Sequence, residues 1–214
     1  IGSGRTDSGV HARGQTANFH TGSSIPPEKY SYALNSLLPG DIRIVHSREV
    51  DGSFHARFSA TGKKYRYSMI VRPHGTAIGG RYLHHVCVPL DTAAMEEAAG
   101  YFLGAHDFAA FMAAGSPVRT TVRTIYDVGL EEDKPFLTFC VTGDGFLYQM
   151  VRIMVGTLLE VGRGKIDPLA VPDILRSRDR QKAGPTAPPQ GLTLEEVYYG
   201  DLPEKVTRQT QAGR

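Results

Sequence analysis

One stretch, Phe146 to Val161, constrains the chain more than any other: it carries a single charge, Arg152, before Glu160. Such a segment reads as a helix that is apolar nearly all round, and a helix of that kind belongs inside a core rather than on a surface. No stretch approaches the ~18 unbroken apolar residues that a membrane-spanning helix requires, so the core is that of a globular domain. The chain has 214 residues, enough to bury such a core without disulfide staples. Its apolar content of 41% and charged content of 21% argue against disorder or a fibrous repeat. Arg152 then either snorkels to water or is buried, and a buried guanidinium needs a partner. Its forked donors suit a carboxylate; a surface-reaching Arg or a structural pair is the plain alternative.

The remaining elements follow from periodicity and punctuation. Three glycines within Gly2 to Gly9 predict a loop, followed by a strand over Thr16 to His20. Helical spacing of Tyr30, Ala33, Leu34, Leu37 and Leu38 after Ser24-Ile25-Pro26-Pro27 predicts a helix packed on a sheet and stopped by Pro39-Gly40. Strands are expected over Ile42 to Val50, Phe54 to Ala60 and Lys63 to Val71. In the last, Tyr65, Tyr67, Met69 and Val71 share one face and Lys64, Arg66 and Ser68 the other. A long loop over Pro73 to Arg81 separates this block from a second. There Asp91 should cap a helix carrying Met95, Ala98, Ala99, Phe102 and Leu103 to the core until Gly104. Strands over Val122 to Leu130 and Phe136 to Thr142, the buried helix, a short helix within Pro172 to Arg178, a Pro-rich loop over Gly184 to Gly191 and a strand over Leu192 to Tyr199 complete the chain, with a frayed tail after Leu202. The fold class is α+β: two halves, 1–80 and 81–203, with mostly antiparallel sheets because several connections are too short for crossovers, and a tail over 204–214.

Three features carry candidate chemistry. Asp7, between Arg5 and Ser8 in the glycine-rich loop, can present a carboxylate to a ligand, or it can merely cap a turn. Paired with Arg152, it would stay ionised at neutral pH, the state a nucleophile or base needs. Tyr65 and Tyr67 lie among Arg57, Lys63, Lys64 and Arg66, a combination that suits base stacking with phosphate contact, or else a sheet core with a solvated charged face. Overall charge decides little, since 24 Lys and Arg against 22 Asp and Glu leave +2. Cys87 and Cys140 are far apart with no Cys-x-x-Cys, which predicts buried thiols rather than a zinc site or disulfide framework. Dinucleotide, phosphate-loop, nucleophile-elbow and zinc-hydrolase motifs do not occur, and no signal-peptide plan opens the chain, so a soluble cytoplasmic protein is expected.

Taken together, Gly4-Arg5-Thr6-Asp7-Ser8-Gly9-Val10-His11-Ala12, Phe54-His55-Ala56-Arg57-Phe58-Ser59-Ala60-Thr61, Lys64-Tyr65-Arg66-Tyr67 and Gln149-Met150-Val151-Arg152-Ile153-Met154-Val155-Gly156 resemble the tRNA pseudouridine synthase A family. Asn35-Ser36-Leu37-Leu38-Pro39-Gly40-Asp41 and Ala105-His106-Asp107-Phe108 join them in the family's order. The resemblance implies a cofactor-free isomerase that detaches uracil from ribose and rejoins it through carbon five, at positions 38–40 of the tRNA anticodon stem-loop. It implies Asp7 as the catalytic aspartate, Arg152 as its partner, Tyr65 packed against the target base, and Arg5 helping to extrude that base. It further implies two α+β halves joined across a basic cleft, a homodimer, and a strand and helix ahead of the Gly-Arg-Thr-Asp loop that these 214 residues do not include. With Asp7 ionised, attack on the uracil ring, attack on the sugar and abstraction of a sugar proton all stay open. An RNA-binding module without catalysis is the main alternative, and a glycosidic hydrolase lacks the second acid it would need.

Overall fold

The structure is a computed structural model and describes residues 1–115 and 118–202. Its centre is β2 (Gly62–Val71), the strand with the clearest alternation. Tyr67 and Met69 are wholly buried on one face, beneath the helices. The β2 strand pairs antiparallel along one edge with β6 (Phe136–Gly143), which pairs antiparallel with β5 (Val122–Asp133), which pairs in turn with β4 (Gly104–Asp107). Its other edge is shared: residues 62–67 pair antiparallel with β7 (Leu192–Tyr198), and Met69 to Val71 pair parallel with β3 (His84–Val86). The two-residue strand β1 (His11–Ala12) adds parallel to β7. One seven-stranded, mostly antiparallel sheet thus takes strands from both sides of residue 80, and the α+β class expected from the sequence is the class observed.

Two helices supply most of the apolar layer on that sheet. In α2 (Thr92–Gly100), Asp91 caps the N-terminus by accepting from the Ala94 amide at 3.0 Å, as its position promised. The helix stops at Gly100 rather than Gly104; Gly104, at φ +95°, opens β4 instead, and Leu103 faces solvent. The apolar segment forms α3 (Met150–Gly162), in which Arg152 and Glu160 are the residues not fully buried. Such a helix needs cover on every side. The sheet supplies one side and α2 a second, while the extended stretch 183–188 runs along a third so closely that a Cβ on Gly156 would overlap the Pro185 carbonyl. The short α4 (Val171–Ser177) adds Val171, Ile174 and Leu175 to the same core.

The segment before β2 departs from expectation. The helix expected from Ser24 to Leu38 is a single 3-10 turn, Pro27–Lys29, followed by the short α1 (Tyr30–Asn35), and α1 buries none of its residues against a sheet. The strands expected over Thr16 to His20, Ile42 to Val50 and Phe54 to Ala60 are absent, apart from a lone bridge between Gly2 and Ala17. Side chains do a strand neighbour's work there. Asn35 grips Ile44 on both sides, its Oδ1 accepting from the amide at 2.8 Å and its Nδ2 donating to the carbonyl at 2.9 Å. Asn18 does the same across Phe54 and Ala56, and the His55 Nδ1 accepts from the amides of Arg57 and Phe58. With those backbone groups satisfied locally, nothing obliges the segment to join a ladder. The tail expected to fray, 204–214, lies outside the described residues.

Candidate active site

The loop bearing Asp7 is held open by its own backbone and by two polar anchors. Asp7 to Val10 make a turn closed by the Val10 amide donating to the Asp7 carbonyl at 3.0 Å, with Gly9 at φ +80°, the left-handed position where glycine is favoured. Upstream, the buried Ser3 hydroxyl donates to Gln15 Oε1 at 2.7 Å, and Gln15 Nε2 donates to the Gly4 carbonyl at 2.7 Å. Lys63 reaches across from β2 to donate its ammonium to the Ser3 carbonyl at 2.8 Å. Burial, with the charge of Arg57 second, lowers the Lys63 pKa. The Lys63 side chain, expected among phosphate contacts, here anchors the loop that carries Asp7.

Arg152 projects from the first turn of α3 towards that loop. Its Nη1 lies 3.2 Å from Asp7 Oδ2, joining residues 145 apart in the chain, with 12% of the Arg152 side chain and 26% of the Asp7 side chain exposed. Its Nε donates to the Ala187 carbonyl at 2.7 Å, while the Ala187 amide donates back to the Arg152 carbonyl at 3.0 Å. The guanidinium is therefore fixed from behind by backbone and faces the carboxylate in front. This answers the choice left open by the sequence: Arg152 is largely buried and ion-paired, rather than snorkelling.

Tyr65 completes the cluster. It sits on β2 between Val141 of β6 and Leu194 of β7, at a bulge where Glu195 is passed over, and its ring meets Phe146 edge-on at 5.1 Å. Burial first, then the negative charge of Asp7, pushes its hydroxyl up to about 12, so it stays protonated at neutral pH. Arg5 is exposed in the same loop, and Arg57, near enough to Lys63 to act on it, lies over the Phe58 ring at 5.7 Å. Lys64 and Arg66 leave β2 from the opposite face, where Arg66 pairs with Glu131 at 3.0 Å, so they are not brought together with Asp7.

Two contributors carry no signal in a sequence: the Ala187 backbone carbonyl and the tight seat of Pro189 on Gly9, where a Cβ would lie 3.0 Å from the proline ring. Phe146 could have been found only through its place ahead of the buried helix. A cavity of about 530 Å³ lined by Tyr101, His106, Asp107, Leu175, Arg176 and Arg178 involves none of these residues. Among the described residues, no group of three or more His, Cys, Asp or Glu side chains is placed to hold a metal ion, and no helix is long and apolar enough to cross a membrane.

A carboxylate, a largely buried guanidinium and a protonated phenol thus lie together, with the exposed Arg5 in the same loop as the carboxylate. A family profile described as tRNA pseudouridine synthase matches residues 98–200. A protein of Acetivibrio thermocellus named tRNA pseudouridine synthase A is 54% identical over 199 residues, covering 93% of this chain and 82% of its own length. Proteins of the same name from Clostridium botulinum and Moorella thermoacetica are 52% and 50% identical, covering 92% and 93% of this chain and 81% of their own lengths. Matches of this extent, over nearly the whole sequence, place the chain in the tRNA pseudouridine synthase A family.

Proposed function

We propose that this protein isomerises uridine to pseudouridine in tRNA, at positions 38–40 of the anticodon stem-loop, with Asp7 as the nucleophile or base. The observation that carries this is the Asp7–Arg152 pair at 3.2 Å, set beside Tyr65 in a loop whose backbone is tied down on both sides. A carboxylate costs RNA affinity by repelling phosphates, so its presence in an RNA-facing loop makes chemical sense when it reacts.

The target uridine is stacked within RNA and must be flipped out, at a cost of a few kcal/mol offset by phosphate contacts and an aromatic surface. Arg5, exposed in the loop, fills the vacated space, and Arg57, also exposed, takes phosphate. Lys64 and Arg66, on the far face of β2, attract RNA only at a distance from the reacting base. The two halves, 1–80 and 81–203, form the walls of a basic cleft around the flipped nucleotide. Ionised Asp7 assists rupture of the bond between uracil N1 and ribose C1′. The freed ring, which keeps the electron pair of the broken bond, turns against Tyr65; C5 bonds to C1′, and the C5 proton is lost while N1 gains one, so atoms and charge balance. Arg152, fixed by the Ala187 carbonyl, pairs with the Asp7 carboxylate and orients it towards the reacting nucleotide. The protein acts in the cytoplasm as a homodimer, without a cofactor.

The direct test uses tRNA carrying tritium at uracil C5, since the rearrangement must release that hydrogen to water. Release in proportion to pseudouridine formed is expected. Protection of the tRNA with no release and no new nucleoside would instead support a binding module and overturn the proposal.

A further inference from the structure

The stretch Ala187 to Gly191 touches α3, β2 and the loop that carries Asp7. Ala187 clasps Arg152 through two backbone bonds. Pro188 presents its carbonyl to the Tyr67 hydroxyl at 2.7 Å. Pro189 seats against Gly9 in the turn that begins at Asp7. Gly191 lets the Tyr67 ring approach so closely that a Cβ there would lie 2.8 Å from two ring carbons.

Tyr67 is a side chain through which β2 grips this strap. It is wholly buried, two residues from Tyr65 on the same face, and its hydroxyl is accounted for on both sides. It donates to Pro188 and, with its proton so engaged, accepts from His84 Nδ1 at 3.1 Å, which assigns that proton to Nδ1. Burial raises its pKa, while the charge of Arg152 acts to lower it, so hydroxyl and guanidinium feel one another without touching.

We propose that Tyr67 is a positioning residue: by pinning Pro188 it holds the neighbouring Ala187 carbonyl where it fixes the plane of the Arg152 guanidinium towards Asp7. The inference rests on the reading of Asp7 and Arg152 as the reactive pair. An arginine has several rotatable bonds, and Nε anchored at 2.7 Å removes most of that freedom before substrate arrives. Tyr67→Phe keeps the ring in its slot and removes the pin, together with the bond from His84 Nδ1.

Proton exchange at Arg152 Nε, read by NMR, tests the positioning without reference to activity. In the unsubstituted protein this proton is expected to be protected and coupled to the Ala187 carbonyl, and in Tyr67→Phe its exchange accelerates on the order of tenfold. In single-turnover assays Tyr67→Phe is expected to lower the rate roughly tenfold with tRNA affinity changed less than about twofold, a split that general loosening would not give. The effect should vanish in an Arg152→Lys background, as it must if Tyr67 acts through Arg152. Unchanged Nε exchange in Tyr67→Phe overturns the proposal, as does a loss confined to affinity. If Tyr67→Phe does not fold, the unsubstituted protein still decides: a Tyr67 hydroxyl proton with no coupling to Pro188 sinks the idea. Should no form of the protein release tritium, the functional proposal fails and the exchange result stands on its own.

Discussion

The two faces of β2 carry similar side chains to different ends. On one, Lys63, Tyr65 and Tyr67 are turned inwards and each is committed to the site or to its frame, through the Ser3 carbonyl, Phe146 and the Pro188 carbonyl. On the other, Lys64 and Arg66 stand half-exposed over β6, with Glu131 and the buried Cys140 for company. There, burial first and the charge of Glu131 next push the Cys140 thiol up to about 11, which leaves it inert at neutral pH. A basic run with interleaved tyrosines is thus two groups, separated by the pleat: one packs towards the Asp7 loop and the strap behind Arg152, the other faces Glu131.

The largest effect expected is from Asp7→Asn, which keeps the shape of the side chain and removes its charge. Turnover should fall at least ~10³-fold while tRNA binding stays within about twofold, measured by tritium release beside filter binding. Retained turnover would end the contrast between the faces at its root. Arg152→Gln comes next. It leaves the Ala187 carbonyl without its donor and the Asp7 carboxylate without its counter-charge, so about 1–3 kcal/mol of stability should be lost in urea titrations together with roughly a hundredfold in kcat. Gly156→Ala touches no reacting group, yet it should cost about 1–3 kcal/mol through collision of its methyl with the Pro185 carbonyl, and it should lower kcat by displacing the strap. A thermal scan with single-turnover kinetics checks both.

Arg66→Ala sharpens the comparison from the other side. Its pair with Glu131 is partly exposed and is worth about 0–1 kcal/mol, so stability should barely change. Any kinetic effect should be confined to KM, with the salt dependence of binding shallower by at most about one charge. The smallest effect concerns pH. The Tyr65 hydroxyl has a folded-state pKa of about 12, above its ordinary ~10, so the stability it contributes is complete below pH ~10 and is lost as pH rises towards 12. In alkaline unfolding curves, Tyr65→Phe should therefore show a shallower decline over that window than the unsubstituted protein.

Much of this arrangement could be read from residues, and the failures have physical causes. The alternation in β2, the Asp91 cap and the apolar run of α3 were legible because each is a local pattern enforced by burial on one side. The stretch from residue 17 to 60 misled because Asn18, Asn35 and His55 satisfy backbone groups that would otherwise have required strand neighbours, and hydropathy does not register such substitutes. The strands β3 and β4 escaped because three and four residues are too few to show a period. Within the site, Arg152 was legible through the improbability of its surroundings and Asp7 through its chemistry, but the strap was not. Its contribution is made by main-chain carbonyls, which every residue possesses.

The Asp7–Arg152 pair also imposes an order of events on synthesis. Asp7 leaves the ribosome early, Arg152 later, and the carbonyl that aims Arg152 later still, with β7, onto which β1 docks, following it. Until β7 has emerged and slotted between β1 and β2, the loop that carries Asp7 lacks the strand on which β1 docks. A growing chain can thus carry both Asp7 and Arg152 while the frame that holds them face to face is still incomplete.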